Sequence, residues 1–386
     1  MTTSTPTGRP PVDLRSPAQL LAALPYLIGF RPANSVVLIG HRTDRVGLVL
    51  RGDLPHPEDR ARQARALAAR YVLSPPTAVT LALIGGGRRP GSPPPHAGFA
   101  AELTEVLDEL GIPVLHALWA ADITEGAAWG CYSDPECGGE LPDPRATVTA
   151  AWATEAGWVA FDSREELEAL LAPRSPEAVV RRSATLSGMP SLPWPESTCV
   201  AEAASVIRAA FERQRRGAGP PTDEQAVLLA SALTLPEIRD ACLGMAVPPH
   251  TSQAREAERL WLALVQELPA PERAEAATLL GYTSFMRGDG TFAGMALDTA
   301  LEADEDHVLA GLLHTVLQRG MPPEQLLGLA LAADPEGMAG FGLEPPEFDE
   351  GGAGFPMTVA CGLPELVGDE PVAEVAPSCP HAVEPG

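Results

Sequence analysis

The sequence predicts a mixed-sheet α/β sandwich in its N-terminal part, followed by an all-α part. Three observations lead there. Up to about residue 172, short β-rich apolar runs alternate with segments of helical spacing. From Ser197 onward no run reads as a strand, while eight segments read as helices. A chain of 386 residues that is 45% hydrophobic can build two ordinary cores. The expected organisation is a disordered 1–11, an α/β domain over 12–172 and a linker over 173–196. A helical domain over 197–340 and a disordered acidic tail over 341–386 complete it.

Ser16-Pro17-Ala18-Gln19 opens the first helix, with Ser16 as N-cap, Pro17 at the first helical position and Gln19 placed for a capping box. Leu20, Leu21 and Leu24 continue it to about Gly29, beyond which Arg31-Pro32 stops it. Ser35–Ile39 and Val46–Leu50 read as a β-hairpin. A helix over about 57–72 carries Ala61, Ala64, Leu67, Ala68 and Tyr71 at helical spacing. A buried strand over 77–84, a helix over about 99–110 and a strand over 112–119 follow. Trp129–Tyr132 is expected to pair back on that last strand. A helix near 148–155 and one opened by Ser163-Arg164-Glu165-Glu166 complete the first part, whose sheet should hold five or six mixed strands.

The stretch 172–195 is rich in Pro, Ser and Arg and reads as a linker. Helices are then predicted near 199–215, 223–233, 236–246, 253–267, 271–287, 291–302, 306–319 and 323–332. Beyond Gly340 the chain has nine acidic residues, no Arg and frequent Gly and Pro, a composition that cannot offset chain entropy by burial.

All 27 basic residues are Arg, and Asn34 is the only Asn, a bias that points to a GC-rich bacterial genome. Residues 1–100 carry 12 Arg against 5 Asp and Glu, a net of +7; residues 101–386 carry 15 against 46, a net of −31. Such acidity argues against nucleic-acid binding. The apolar stretch from Leu14 to Phe30 is interrupted by Arg15, Gln19 and Pro25, which excludes a signal peptide or membrane span there. The six cysteines are scattered, so the expected compartment is the cytoplasm with reduced thiols.

Candidate chemistry is sparse. Arg51-Gly52-Asp53 ends the hairpin's second strand, close to Asn34 and Ser35 at the start of its first. These four residues can bind a small polar ligand, or form an ion pair and a turn. Gly85-Gly86-Gly87-Arg88-Arg89 follows a strand, as phosphate-cradling loops do, but lacks their spacing and Lys and runs into prolines, so a crossing loop is the competing reading. Cys131 and Cys137 stand further apart than zinc-knuckle cysteines; structural thiols, a metal site and a redox pair are the alternatives. Asp289, Asp298, Glu302, Asp304 and Asp306 near His307 and His314 read as a solvated face with helix caps, or as a cation site. No cofactor is expected, and no nucleophile–base pairing stands out.

Two stretches carry a family resemblance. Ser16-Pro17, Leu20-Leu21-Ala22, Pro25-Tyr26-Leu27, Gly29-Phe30-Arg31-Pro32 and Ser35-Val36-Val37, with Arg51-Gly52-Asp53-Leu54-Pro55, form one. Arg287-Gly288-Asp289-Gly290, Ala293, Ala296-Leu297 and Ala300–Asp304 form the other. Over roughly 14–335 the chain resembles the bacterial family of the domain of unknown function 4192. The resemblance implies no activity. It also implies a cysteine-rich turn, which this chain retains only as Cys131 and Cys137.

The second stretch has its own physical reading. Ala293, Leu297 and Ala300 allow close packing of a helix on the one before it, as in a tetratricopeptide-like pair or an ordinary α-hairpin. Together these features suggest a non-catalytic interaction or ligand-binding protein, with a protein partner or small polar ligand. The alternative is an α/β enzyme or sensor with its site at the first hairpin.

Overall fold

The computed structural model describes residues 16–42, 45–87, 93–156, 158–189 and 199–331. The expectations for 1–11 and 341–386, and Arg88-Arg89 of the glycine loop, lie outside them.

Helix α1 (Pro17–Ile28) starts at the proline, whose fixed φ suits the first turn. The Ser16 side chain makes no capping bond, so the expected capping box is absent. The first closure is backbone alone, Leu20 N donating to Ser16 O at 2.9 Å. Gly29 ends the helix at φ 87°, a left-handed value that glycine adopts without a Cβ clash. Next, Arg31 N donates to Phe161 O and Phe161 N to Gly29 O, both at 2.9 Å, tying the α1 exit to a segment 130 residues away.

Strands β1 (Ser35–Arg42), β2 (Arg45–Asp53), β3 (Ala78–Ile84), β4 (Val114–Ala120), β5 (Ala128–Cys131) and β6 (Gly138–Glu140) form one sheet in the order β2-β1-β3-β4-β5-β6. Only β3 and β4 are parallel, joined by helix α3 (Ala97–Glu109). The mixed sheet and its hairpin match the expectation; β6 is too short and glycine-rich to be read from sequence.

Alternation divides the sheet's two faces. Val36, Leu38, Leu81 and Leu83 pack on α2 (Arg60–Ala69), the turn after it and α3 through Leu67, Tyr71, Phe99 and Leu103. Val37, Ile39, Ala82 and Ile84 face Leu20, Leu21 and Leu24 of α1. From there one apolar cluster runs on into the helical part without interruption. Helices α4 (Val148–Ala156) and α5 (Arg164–Ala169) follow the sheet; Ser163 caps α5 by accepting from Glu166 N.

The segment 173–196, read as a linker, contains helix α6 (Pro176–Ser187), capped by Ser175. Arg182 on α6 is 4% exposed and donates to Glu267 Oε2 at 2.6 Å, Glu267 O at 2.7 Å and Asp223 Oδ1 at 2.9 Å. A linker reading rests on Pro, Ser and Arg content, which is blind to an arginine whose partners lie 41 and 85 residues away.

The helical part comprises α7 (Cys199–Arg215), α8 (Asp223–Leu233), α9 (Pro236–Gly244), α10 (Ser252–Glu267), α11 (Arg273–Arg287), α12 (Gly290–Ala303), α13 (Val308–Gln318) and the short α14 (Leu327–Leu331). No strand occurs among the described residues from 199 onward, and no described helix is long and apolar enough to cross a membrane. Helix α11 is buried on every side from Ala276 to Met286, the mark of a central helix. It meets α12 closely: a Cβ on Gly281 would stand 2.7 Å from Leu297 Cγ. Ala293 and Ala300 are fully buried at this contact.

Two predictions follow from these contacts. Gly281→Ala should destabilise the chain: overpacking costs about 1–3 kcal/mol, more than the ~1 kcal/mol of helix propensity gained. Ala293→Leu should behave alike, whereas exposed Glu302→Ala should shift stability by less than about 0.5 kcal/mol. Denaturant melts decide the matter, and a Gly281→Ala protein as stable as the parent would disprove the close approach. Arg182→Ala should cost about 3–5 kcal/mol, since it leaves buried Glu267 without its main partner. Replacing both by Leu should recover much of that loss.

Candidate functional site

At the first hairpin the structure does bring Ser35, Arg51 and Asp53 together. Arg51 Nε donates to Ser35 Oγ at 3.0 Å, and its NH2 lies 2.6 Å from Asp53 Oδ1. The guanidinium also stacks over Phe30, 5.8 Å from the ring centroid. Ser35 is fully buried and donates to Ala33 O at 2.7 Å. Asn34, at φ 46°, is the turn residue beside Gly85, and its carbonyl accepts from Leu54 N at 3.0 Å. These polar groups are directed at one another, and Asp53 is otherwise open to solvent.

The other candidates disperse. Gly85 O accepts from Trp119 Nε1 at 2.8 Å, fixing the loop to β4. Cys131 at the end of β5 and Cys137 just before β6 are neighbours, with sulfurs 2.7 Å apart and both side chains buried. Among the described residues no group of three or more His, Cys, Asp or Glu is placed to hold a metal ion. Asp298 pairs with His314 at 3.2 Å and His307 with Glu275 at 3.4 Å, while Asp289 points elsewhere.

Asp289 belongs to a different centre. Arg287 is the last residue of α11, and Gly288 caps that helix at φ 93°. Asp289 then caps α12, its Oδ1 accepting from Phe292 N at 3.0 Å. Its Oδ2 lies 3.0 Å from Arg287 NH2, which also reaches Glu258 Oε1 on α10 at 2.9 Å. The Arg287 guanidinium lies over the Trp158 ring, 5.1 Å from its centroid, and Trp158 meets Trp152 edge-on at 5.4 Å. The four-residue motif thus performs three tasks: a charge at a helix end, a left-handed turn and a helix cap.

This centre forms one wall of a cleft of about 290 Å³ between the sheet part and the helical part. Tyr26, Leu27 and Gly29 from α1 and its exit line the opposite side, with Phe161, Leu167 and Leu170, while Trp158, against Arg287, joins the two sides. From the helical part come His250, Arg255, Glu258, Arg259, Leu262, Arg287, Asp289 and Phe292. A second cavity, of about 300 Å³, is a groove among α7, α8 and α10, floored by Val206, Ala210, Leu228, Leu229 and Leu264. Neither includes Ser35, Arg51 or Asp53.

Electrostatics in the cleft follow from burial. Burial alone would lower the Arg287 guanidinium, but Asp289 and Glu258 outweigh it and keep it charged. Burial pushes the Glu258 carboxyl above its ordinary value, although Arg287 pulls it down. Burial holds the His250 imidazole below its ordinary value, and Arg287 and Arg255 add to this. Burial also raises the Tyr26 phenol, which stays protonated.

Sequence reasoning missed Trp158, His250, Arg255 and Glu258. The only local signal was on α10, where Arg255, Glu258, Arg259 and Leu262 recur at helical spacing and so share one face.

Fold and site together define a mixed-sheet α/β and helical protein with a cleft at the seam of its two parts. The family model described as Domain of unknown function (DUF4192) matches residues 17–324, and the chain belongs to that family. No curated protein and no solved structure matches it significantly. Both stretches that carry the family resemblance contribute to the cleft, Tyr26–Gly29 from one and Arg287–Asp289 from the other.

The depressed histidine gives a pH prediction. In the folded chain His250 takes up a proton less readily than in the unfolded chain, where it is protonated below pH ~6.5. Its contribution is therefore present above that pH and lost as pH falls from the unfolded value towards the folded one. Burial depresses His41, His96 and His116 in the same direction. Stability should fall between pH 7 and 5, and His250→Asn, which tolerates the left-handed φ of 67° at that position, should flatten the fall. An unchanged slope in His250→Asn melts would contradict this.

Proposed function

We propose that this chain is a non-catalytic ligand-binding protein whose site is the cleft between α1 and the 158–170 segment on one side and α10–α12 on the other. One observation carries the reading: Arg287, clamped by Glu258 and Asp289 and stacked on Trp158, presents a fixed charged wall to a cavity whose other lining combines aromatic and aliphatic side chains with Arg255, Arg259 and His250. Apolar cavities with a few convergent polar groups are the usual form of small-molecule sites. The residues lining it include no Ser, Thr, Cys or Lys, and its two carboxylates both serve Arg287. That favours binding over nucleophilic chemistry.

A second reading, docking of a protein segment, is supported by the apolar α7–α8–α10 groove with Arg174 and Arg213 at its rim. The tight α11–α12 pair fits a tetratricopeptide-like arrangement of the helical part, of which it would be one unit. A cytoplasmic setting suits both readings.

Leu262→Trp, which fills the cleft, tests the first reading. The parent chain, purified from its own cells and denatured, should release a small molecule detectable by mass spectrometry, and the variant should release none. Identical small-molecule content in the two proteins would reject the cleft as the site.

A further inference from the structure

Among the cleft's charged groups the donors outnumber the acceptors, three guanidiniums to two carboxylates. Arg287 satisfies Glu258 and Asp289, so both cleft carboxylates are occupied from within the protein. Arg287 Nε, by contrast, is buried with no hydrogen-bond partner. The side chains of Arg255 and Arg259, four residues apart on α10, make no hydrogen bond or close ion pair among the described residues, yet both line the cavity. Tyr26 adds a hydroxyl. Three guanidiniums thus face two carboxylates inside the part of the chain that nets −31. Against that acidic background a locally positive cleft draws anions selectively.

Resting on the ligand-binding reading above, we infer that the cleft takes a small amphiphilic organic anion. Its acidic group would lie on Arg255 and Arg259, with the charge of Arg287 beside them, and its apolar body against Leu262, Phe161 and Phe292. Guanidinium donors suit the oxygens of an acidic headgroup because their fixed fork matches two oxygens at once. The aliphatic and aromatic side of the same cavity disfavours a bare inorganic ion, which would leave that surface facing water.

A matched pair of dyes tests the inference. 1-Anilinonaphthalene-8-sulfonate and N-phenyl-1-naphthylamine share an aromatic body, and only the first carries an acidic group. The parent chain should bind the sulfonate at one site, at least tenfold more tightly than the neutral amine. Arg255→Glu/Arg259→Glu should weaken sulfonate binding at least tenfold and leave the amine within twofold, with circular dichroism confirming the fold. Leu262→Trp should abolish binding of both dyes, whereas Ala209→Trp, in the α7–α8–α10 groove, should not. If the neutral amine binds the cleft as tightly as the sulfonate, the anion inference falls and the ligand-binding reading stands. If Ala209→Trp rather than Leu262→Trp removes binding, or if neither dye binds, the cleft is not a site for amphiphilic anions. Small-molecule release in the Leu262→Trp comparison then decides the broader reading separately.

Discussion

The clamp on Arg287 is the interaction around which the two parts of the molecule are organised. One guanidinium holds Glu258 of α10 and Asp289 of α12, stands at the end of α11 and covers Trp158 from the segment after α4. A charge buried to this degree is tolerated only when it is paired on more than one side. The requirement is geometric, and Gly288 meets it: the left-handed turn returns the chain so that Asp289 can both cap α12 and face Arg287. Without that turn, α12 would leave α11 at another angle and the close approach of Gly281 to Leu297 would be lost.

A similar device appears at Arg182, whose partners Glu267 and Asp223 lie on α10 and at the start of α8. Both arginines anchor to α10, Arg287 near its middle at Glu258 and Arg182 at its last residue, Glu267. Such networks contribute little net stability compared with an apolar packing of the same volume, but breaking one leaves a buried charge alone. They therefore act chiefly by fixing where α6, α8, α11 and α12 sit against α10. The contrast with Arg51 is instructive. Its partner Asp53 is exposed, so that pair is screened by water and contributes little beyond local order in the hairpin.

The cleft inherits its chemistry from this arrangement. Its carboxylates are neutralised internally, which leaves donors and apolar side chains as the surface a ligand meets. Burial and two neighbouring arginines act together to hold the His250 imidazole below its ordinary value. The second cavity, among α7, α8 and α10, has an apolar floor without a comparable buried charge lining it.

Much was determined by the sequence itself. Alternating β-rich runs and helical spacing located five of the six strands, and the eight helices from residue 199 onward, among the described residues, because hydrophobic period and capping residues act within a few positions. The same local chemistry brought Ser35, Arg51 and Asp53 together, since hairpin pairing joins neighbours in sequence. It failed at α6, where Arg-rich composition concealed a buried arginine, and at Ser16, whose hydroxyl was not used as a cap. Only the tertiary structure decided the cleft. Tyr26, Trp158, Glu258 and Arg287 lie in segments more than 230 residues apart from first to last, and none has a local pattern that announces its partners. Their meeting depends on how α11 is buried among its neighbours, and that is set by side-chain fit across the whole core rather than by any stretch of sequence.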